Sequence, residues 1–279
     1  MRKQLTFVDF FKLTFKYKNL WAGLIPMNLI AIGAIIAAFN GMWENLYWLY
    51  LGLGYFCIMM LGVTIGYHRY VSHKSFETYT PIKYIILFFA MLAGQGSPIF
   101  WTATHRDLHH PYSDGEKDPH SPNKGLMTSW FLWLWKIEEK DINYRHIIDL
   151  LKNPVYAFCH KYYMELYWTA NLVIALISFE FWIWFVIVPS FITFHSYSIT
   201  NSLNHFKAMG YQNYESGDNS VNSPWLFPFV LGECWHNNHH GDVQAYNFGR
   251  VRWWEIDPSG WIIDLIKKKK LTNDTHKNL

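Results

Sequence analysis

Charge is scarce in this 279-residue chain: Asp, Glu, Lys and Arg make up 16% of it, against 51% hydrophobic and 19% aromatic residues. Soluble domains carry about 25% charged residues, so the deficit excludes a surface facing water everywhere and implies that lipid covers part of it. Cysteine is sparse too. Cys57, Cys159 and Cys234 are far apart and odd in number, which excludes a disulfide framework and a Cys-x-x-Cys metal pair and leaves them as packing residues. There is no internal repeat, low-complexity tract or second soluble domain. No small-residue cleavage pattern follows the first apolar run, which reads as a retained anchor. The net charge of +3 is split between Arg2, Lys3, Lys12, Lys16 and Lys18 before that run and Lys267 to Lys270 near the end. Both groups flank membrane-proximal sequence, so a lipid bilayer, and no nucleic acid, is the expected partner. Leu5, Phe7, Phe10, Phe11 and Phe15 interleave with the first lysines, as in an amphipathic helix lying on headgroups.

What the chain does have is long apolar runs. Leu20 to Phe39 and Leu46 to Tyr67 hold 20 and 22 residues without a charge, each long enough to span at about 1.5 Å per residue. The turn between them, Asn40 to Asn45, has no Lys or Arg, so the positive-inside rule places the N-terminus in the cytoplasm. Leu166 to Thr200 is 35 residues long and charged only at Glu180; it reads as two spans, about 162–178 and 181–203, turning near Ser178, Phe179 and Glu180. The stretch 82–101 is interrupted by Gly94, Gly96 and Pro98 and reads as an interfacial helix, since a fifth crossing would separate clusters of histidine on either side of it. The expected fold is therefore an all-α integral membrane protein, with four transmembrane helices in two hairpins and a cytoplasmic helical cap. Both termini and the active site are expected in the cytoplasm.

Histidine is the second conspicuous presence. His68 and His73, then His105, His109 and His110, then His236, His239 and His240 border the apolar runs. Imidazole is a common ligand of iron, copper and zinc, and eight are too many for one ion but suit two. His236, His239 and His240, at i, i+3 and i+4, share a helical face. His105 and His109 share one as well, with His110 about 100° further round, so that cluster can address two ions. His68 and His73, five apart, cannot face one ion from a regular helix, and a helix ending between them is expected. His120, His146, His160, His195 and His276 are isolated and read as polar or structural residues.

The segments Gly66-Tyr67-His68-Arg69-Tyr70-Val71-Ser72-His73, Thr104-His105-Arg106-Asp107-Leu108-His109-His110 with Ser113-Asp114 and Asp118-Pro119-His120, and Gly232-Glu233-Cys234-Trp235-His236-Asn237-Asn238-His239-His240 resemble the three histidine boxes of membrane fatty acid desaturases, closest to the acyl-CoA, stearoyl-CoA-type delta-9 kind. Three residues, where that family usually has two, separate His105 from His109. Asn201-Ser202-Leu203-Asn204-His205 is similar to the family's Asn-Ser-x-x-His element, which implies His205 as a ninth ligand and Asn201 as a partner of metal-bound water. Gln95 and Trp101 resemble residues lining the bend of the family's acyl tunnel; Trp101 reads equally as an interfacial anchor. By the same resemblance Phe56 and Gly52, 12 and 16 residues before His68, face the closed end of that tunnel, Phe56 as its plug or, alternatively, facing lipid.

The resemblance implies two iron ions and dioxygen as co-substrate, and insertion of a cis double bond between carbons 9 and 10 of a saturated fatty acyl chain on coenzyme A or another acyl carrier or lipid. Removing hydrogen from an unactivated methylene is beyond any amino-acid base and needs a metal and dioxygen. Electrons are expected from a separate donor, a ferredoxin, a rubredoxin or a b-type cytochrome with its reductase. Asp107, Asp114, Asp118, Glu233 and Asp242 are the candidate carboxylates for orienting imidazoles. Lys136, Lys140, Arg145 and Lys152 can meet a phosphorylated carrier or form an ordinary solvated face. A membrane alkane or lipid hydroxylase is the alternative enzyme, and a metal transporter or sensor the alternative of another class.

Overall fold

The computed structural model describes residues 18–137 and 144–268. The N-terminal amphipathic stretch, Lys140, Lys269, Lys270 and His276 lie outside the described residues, as does the side chain of Arg145. The described chain is helical, apart from isolated bridges such as Thr78 with Lys267. Helix α1 (Lys18–Phe39) and helix α2 (Asn45–Ser72) are joined by a turn containing Gly41 at φ 90°. After α3 (Thr80–Leu92) and α4, which starts at Pro98–Thr102, come the short α5 (Leu126–Trp130) and α6 (Pro154–Lys161). Helices α7 (Tyr163–Ile177) and α8 (Phe179–Leu203) meet at Ser178, whose hydroxyl accepts from Phe181 N at 3.2 Å and caps the second helix. The described residues end with α9 (His236–Gly241) and α10 (Pro258–Ile266).

By length and composition α2 and α8 can each cross a membrane; Gly23–Phe39, Thr80–Leu92 and Tyr163–Ile177 are shorter apolar stretches. Leu29, Ile32 and Ile36 on α1, Leu49 and Leu53 on α2, and Leu172, Val173 and Leu176 on α7 all point outward and are exposed. An apolar exterior of this kind is what lipid-facing helices present, and water-soluble monomers avoid it.

Lipid gives helices no hydrophobic reason to associate, so close backbone approach must supply the packing. Glycines on α2 provide it. A Cβ at Gly62 would lie 2.6 Å from the Phe89 carbonyl carbon of α3, and one at Gly66 3.0 Å from Ile86 O. On α8, Pro189 has no N–H for the carbonyl of Phe185, and wide turns run through Trp182–Ile187. Gly54 of α2 fits against that exposed carbonyl, where a Cβ would come within 2.1 Å of the oxygen.

The interfacial helix expected over 82–101 is corrected: it is two helices. Gly94 (φ 71°) and Gly96 (φ 95°) adopt left-handed backbone that ends α3, and the Ser97 hydroxyl then caps α4, accepting from Phe100 N at 3.1 Å. The turn is buried against Met27 and Tyr167, and Tyr67 donates to Gly96 O at 2.7 Å. Segment 82–101 thus runs alongside α2 and doubles back, so that its two flanking histidine clusters stay at one end of the helices.

Gly62→Val is expected to destabilise the protein by about 3 kcal/mol or more through backbone collision. Gly52→Ala, where a Cβ meets nothing within 4 Å, should be neutral or gain up to about 1 kcal/mol in helix propensity. Thermal unfolding in detergent measures both, and equal effects would remove the close α2–α3 contact as the cause.

Candidate metal centre

Nine histidines assemble into two groups: His68, His73, His105, His110 and His239 form the first, and His109, His205, His236 and His240 the second. Within each, one ligand nitrogen per ring lies within 4.8 Å of all the others. Closest Nε2 pairs are His73–His105 at 2.8 Å, and His68–His239, His105–His110, His110–His239 and His205–His236 at 3.0 Å. Two nitrogens bound at right angles to one ion at about 2.0–2.1 Å are themselves about 3 Å apart.

The groups do not follow regular helical faces, which corrects two expectations. Helix α2 does end between His68 and His73, at Ser72, but it winds there through wide turns over Phe56–Ser72, and His73 N bonds to His68 O at 3.1 Å. Such i→i+5 turns stack residues five apart. The same happens in α4, which continues as wide turns over Ala103–His109 with His110 N bonded to His105 O. His105 therefore pairs with His110, while His109, expected to share its face, turns to the second group. In α9, His236 and His240 face the second group and His239 the first.

Buried carboxylates fix which nitrogen carries the proton. His68 Nδ1 is 2.7 Å from Glu233 Oε2, His109 Nδ1 3.0 Å from Asp118 Oδ2, and His240 Nδ1 2.5 Å from Asp218 Oδ2. A carboxylate only accepts, so each Nδ1 donates and each Nε2 of the neutral ring presents a lone pair. His109 Nε2 and His240 Nε2 then face each other at 3.3 Å with no proton between them, an arrangement that a cation would make attractive. Burial, reinforced by the neighbouring rings, also holds His73, His105, His109, His110, His236, His239 and His240 below the ordinary histidine range, the neutral form a metal requires. The donor set fits a pair of iron, copper or zinc ions.

Of the expected carboxylates, Glu233 and Asp118 meet box histidines, and Asp114 Oδ1 lies 3.1 Å from Nδ1 of His205. Asp107 instead bonds His146 Nδ1 at 2.5 Å, and Asp242 accepts from Gln244 N on the surface. Asp218 was missed: burial raises its pKa, but hydrogen bonds from His240, Ser216 and Ser220 outweigh that and hold it far below the carboxylate range. It sits in a loop without a motif, and no sequence signal marks it.

Asn201 and Gln95 both line an inner cavity of about 50 Å³ together with Trp101, Thr104, His105 and Tyr197. Asn201 Oδ1 is buried with no partner among the described residues, an acceptor free for a bound water. Trp101 is buried, donates to Gln95 Oε1 at 3.1 Å and lies 4.9 Å from the His105 ring, so it is no interfacial anchor. Phe56 and Gly52 are not brought to this cavity. Phe56 is 39% exposed and open space surrounds Gly52, so both face outward, as the lipid-facing alternative for Phe56 has it.

His120 is not isolated. It is buried 4.3 Å from the His109 ring, forms a further possible metal group with His109 and Asp118, and lines the inner cavity. His195 is structural: its Nδ1 accepts from Trp130 Nε1 at 3.1 Å and its Nε2 donates to Asn28 Oδ1 at 2.9 Å, tying α5 to α1. His160 Nδ1 meets Ser97 Oγ at 2.6 Å, bracing the cap of α4. Lys136 lines an outer cleft of about 550 Å³ together with Lys117 and Lys124, while Lys152 is exposed at the end of the Ile148–Leu151 turn.

A sequence model of fatty acid desaturases matches residues 46–259. The sn-1 stearoyl-lipid 9-desaturase of Anabaena variabilis is 33% identical over 253 residues, covering 88% of this chain and 90% of its own length. An acyl-CoA 5-desaturase of Anemone leveillei is 32% identical over 265 residues (92% and 81%). The delta-9 acyl-lipid desaturase 2 of Arabidopsis thaliana is 33% identical over 254 residues (86% and 78%).

Asp218→Asn is expected to weaken binding at the second group by about 10–100-fold, because the His240 ring loses its orienting acceptor, whereas Asp242→Asn leaves binding unchanged. Titration of the metal-stripped protein with Co(II), followed by visible absorption, measures both. Identical isotherms for Asp218→Asn and the parent protein would exclude that role.

Proposed function

The chain belongs to the fatty acid desaturase family, and from that we propose that it inserts a cis double bond between carbons 9 and 10 of a saturated acyl chain at a histidine-held di-iron centre. The observation that carries the reading is the juxtaposition of two convergent imidazole groups with a narrow cavity walled by Trp101, Tyr197 and Leu24. Two irons would be held by His68, His73, His105, His110 and His239, and by His109, His205, His236 and His240, with Asn201 toward a bound water. When bound, iron supplies with dioxygen the oxidising power that removes two hydrogens from adjacent methylenes, with electrons from a separate ferredoxin, rubredoxin or b-type cytochrome.

The protein's own groups do the rest. Glu233, Asp118 and Asp218 keep protons on the outer nitrogens, so the inner lone pairs stay available. Trp101, held by Gln95, presents a flat apolar wall beside His105, fixing which methylenes lie next to the first group and keeping water away. The relatives named above act on acyl-lipid or acyl-CoA substrates, and the lysines of the outer cleft suit the phosphate common to coenzyme A and phospholipids. Four spans, α1, α2, α7 and α8, with the histidine groups on the cytoplasmic side complete the reading, supported by the apolar exterior of α1, α2 and α7, the length and composition of α8 and the return of segment 82–101.

Expression in a desaturase-deficient host followed by lipid analysis should show a new cis-9 alkene. His239→Ala should abolish it and lower iron content; full product from that variant would sink the assignment, and an alcohol in place of the alkene would make the chain a hydroxylase. In the topology test, cysteines near Met42 and Glu180 should react with impermeant reagent from outside, and one at Lys74 only from the cytoplasm. Outside labelling at Lys74 would reverse the orientation.

A further inference from the structure

Two hollows in the protein share one wall. The inner cavity lies against His105 and Asn201, the outer cleft carries Lys117, Lys124 and Lys136, and Trp133 borders both. On the inner side its indole meets the His120 ring edge-on at 5.3 Å. The backbone nearby is anchored: Ser129 Oγ on α5 donates to Ser202 Oγ on α8 at 2.9 Å, and Lys136 Nζ to Thr128 Oγ1 at 3.0 Å. Trp133, the residue that lines both hollows, thus sits between neighbours that are held in place.

The volumes give that side chain its importance. At about 10–15 Å³ per water-sized group, the inner cavity of about 50 Å³ holds a few methylenes, far fewer than a long acyl chain. The outer cleft, at about 550 Å³, is larger and bears three lysines beside Asp107 and Glu116. We propose that Trp133 is the doorway of the inner cavity: the acyl chain enters from the outer cleft past the indole, and its polar end stays among the lysines. The assignment rests on the acyl-desaturase reading above. An indole suits the place because it is a large apolar plate moved by two side-chain torsions. Turned in, it keeps the small cavity dry beside His105; turned aside, it offers its face to the chain.

Trp133→Cys in the iron-loaded protein, kept in its membrane, tests this. The rate of modification by a polar thiol reagent is compared with and without palmitoyl-coenzyme A in one arm and dipalmitoylphosphatidylcholine vesicles in the other. Wild-type protein supplies the background from Cys57, Cys159 and Cys234. A bound chain should slow modification about tenfold in the arm holding the true carrier, since ligand pockets bury most of a ligand's surface, and a bulky adduct should block loading. Unchanged modification in both arms, or full alkene formation by the bulky adduct, would overturn the doorway. Where the cysteine variant does not fold, Trp133→Phe takes its place: KM for the acyl probe should change severalfold at unchanged iron content, and a wild-type KM overturns the proposal. Wild-type protein that forms no alkene from either probe instead refutes the acyl-desaturase reading.

Discussion

Nine imidazole rings converge on two points, and they serve a metal ion there only with lone pairs directed inward. A second cation among buried rings about 3 Å apart is costly in a low-dielectric site. The protein meets this constraint from behind. Glu233, Asp118 and Asp218 accept from the outer nitrogens of His68, His109 and His240, which assigns the tautomer and leaves the inner face as acceptor. Each carboxylate is itself buried and needs its own support. Asp118 accepts from the backbone of Asp114 and His120, and Asp218 from that of Ser220.

Glu233 has the strongest support, and it joins the site to the fold. Arg69, fully buried one residue after His68, donates to Glu233 Oε1 at 2.8 Å and to Asp257 Oδ2 at 2.7 Å, and stacks on Phe248. Removing one partner of such a group leaves a buried charge uncompensated, typically at 3–5 kcal/mol. One guanidinium thus locks α2 to the third histidine box and, through Asp257, which also caps α10 by accepting from Gly260 N, to the C-terminal helix. The same box carries backbone strain: Leu231 adopts φ 51° ahead of Gly232, where a Cβ would strike Asp257. A bulky residue persists in that conformation only where its surroundings dictate it, and here the surroundings are the salt-bridged carboxylates.

The sequence was enough to bring His68 to His240 into one site, because box order and flanking residues are local patterns, and enough to find the turn at Ser178. The division of ligands between the groups was not legible, since it depends on helical pitch. Regular geometry pairs His105 with His109, whereas the wide turn pairs it with His110. Asp218 was illegible for another reason. It reaches His240 through a loop whose course is set by contacts such as Asn219 N to Asp114 Oδ2, which no sequence periodicity encodes.

Wide turns are uncommon because they pack their own backbone poorly, and they concentrate where function repositions side chains. In α2 they coincide with glycines that admit α3 to van der Waals contact and with Arg69 and its two carboxylates. The coincidence has a physical reason. A helix unwound to five-residue spacing gives up internal packing that neighbouring chains must restore, and in a low-dielectric setting close backbone contact and charge-assisted hydrogen bonds are the two interactions strong enough to restore it. The pitch that lets His68 and His73 share one target is therefore set by neighbours. Gly62, Gly66 and Arg69 belong to the machinery of the site as much as to the fold, although none of them faces the convergence point.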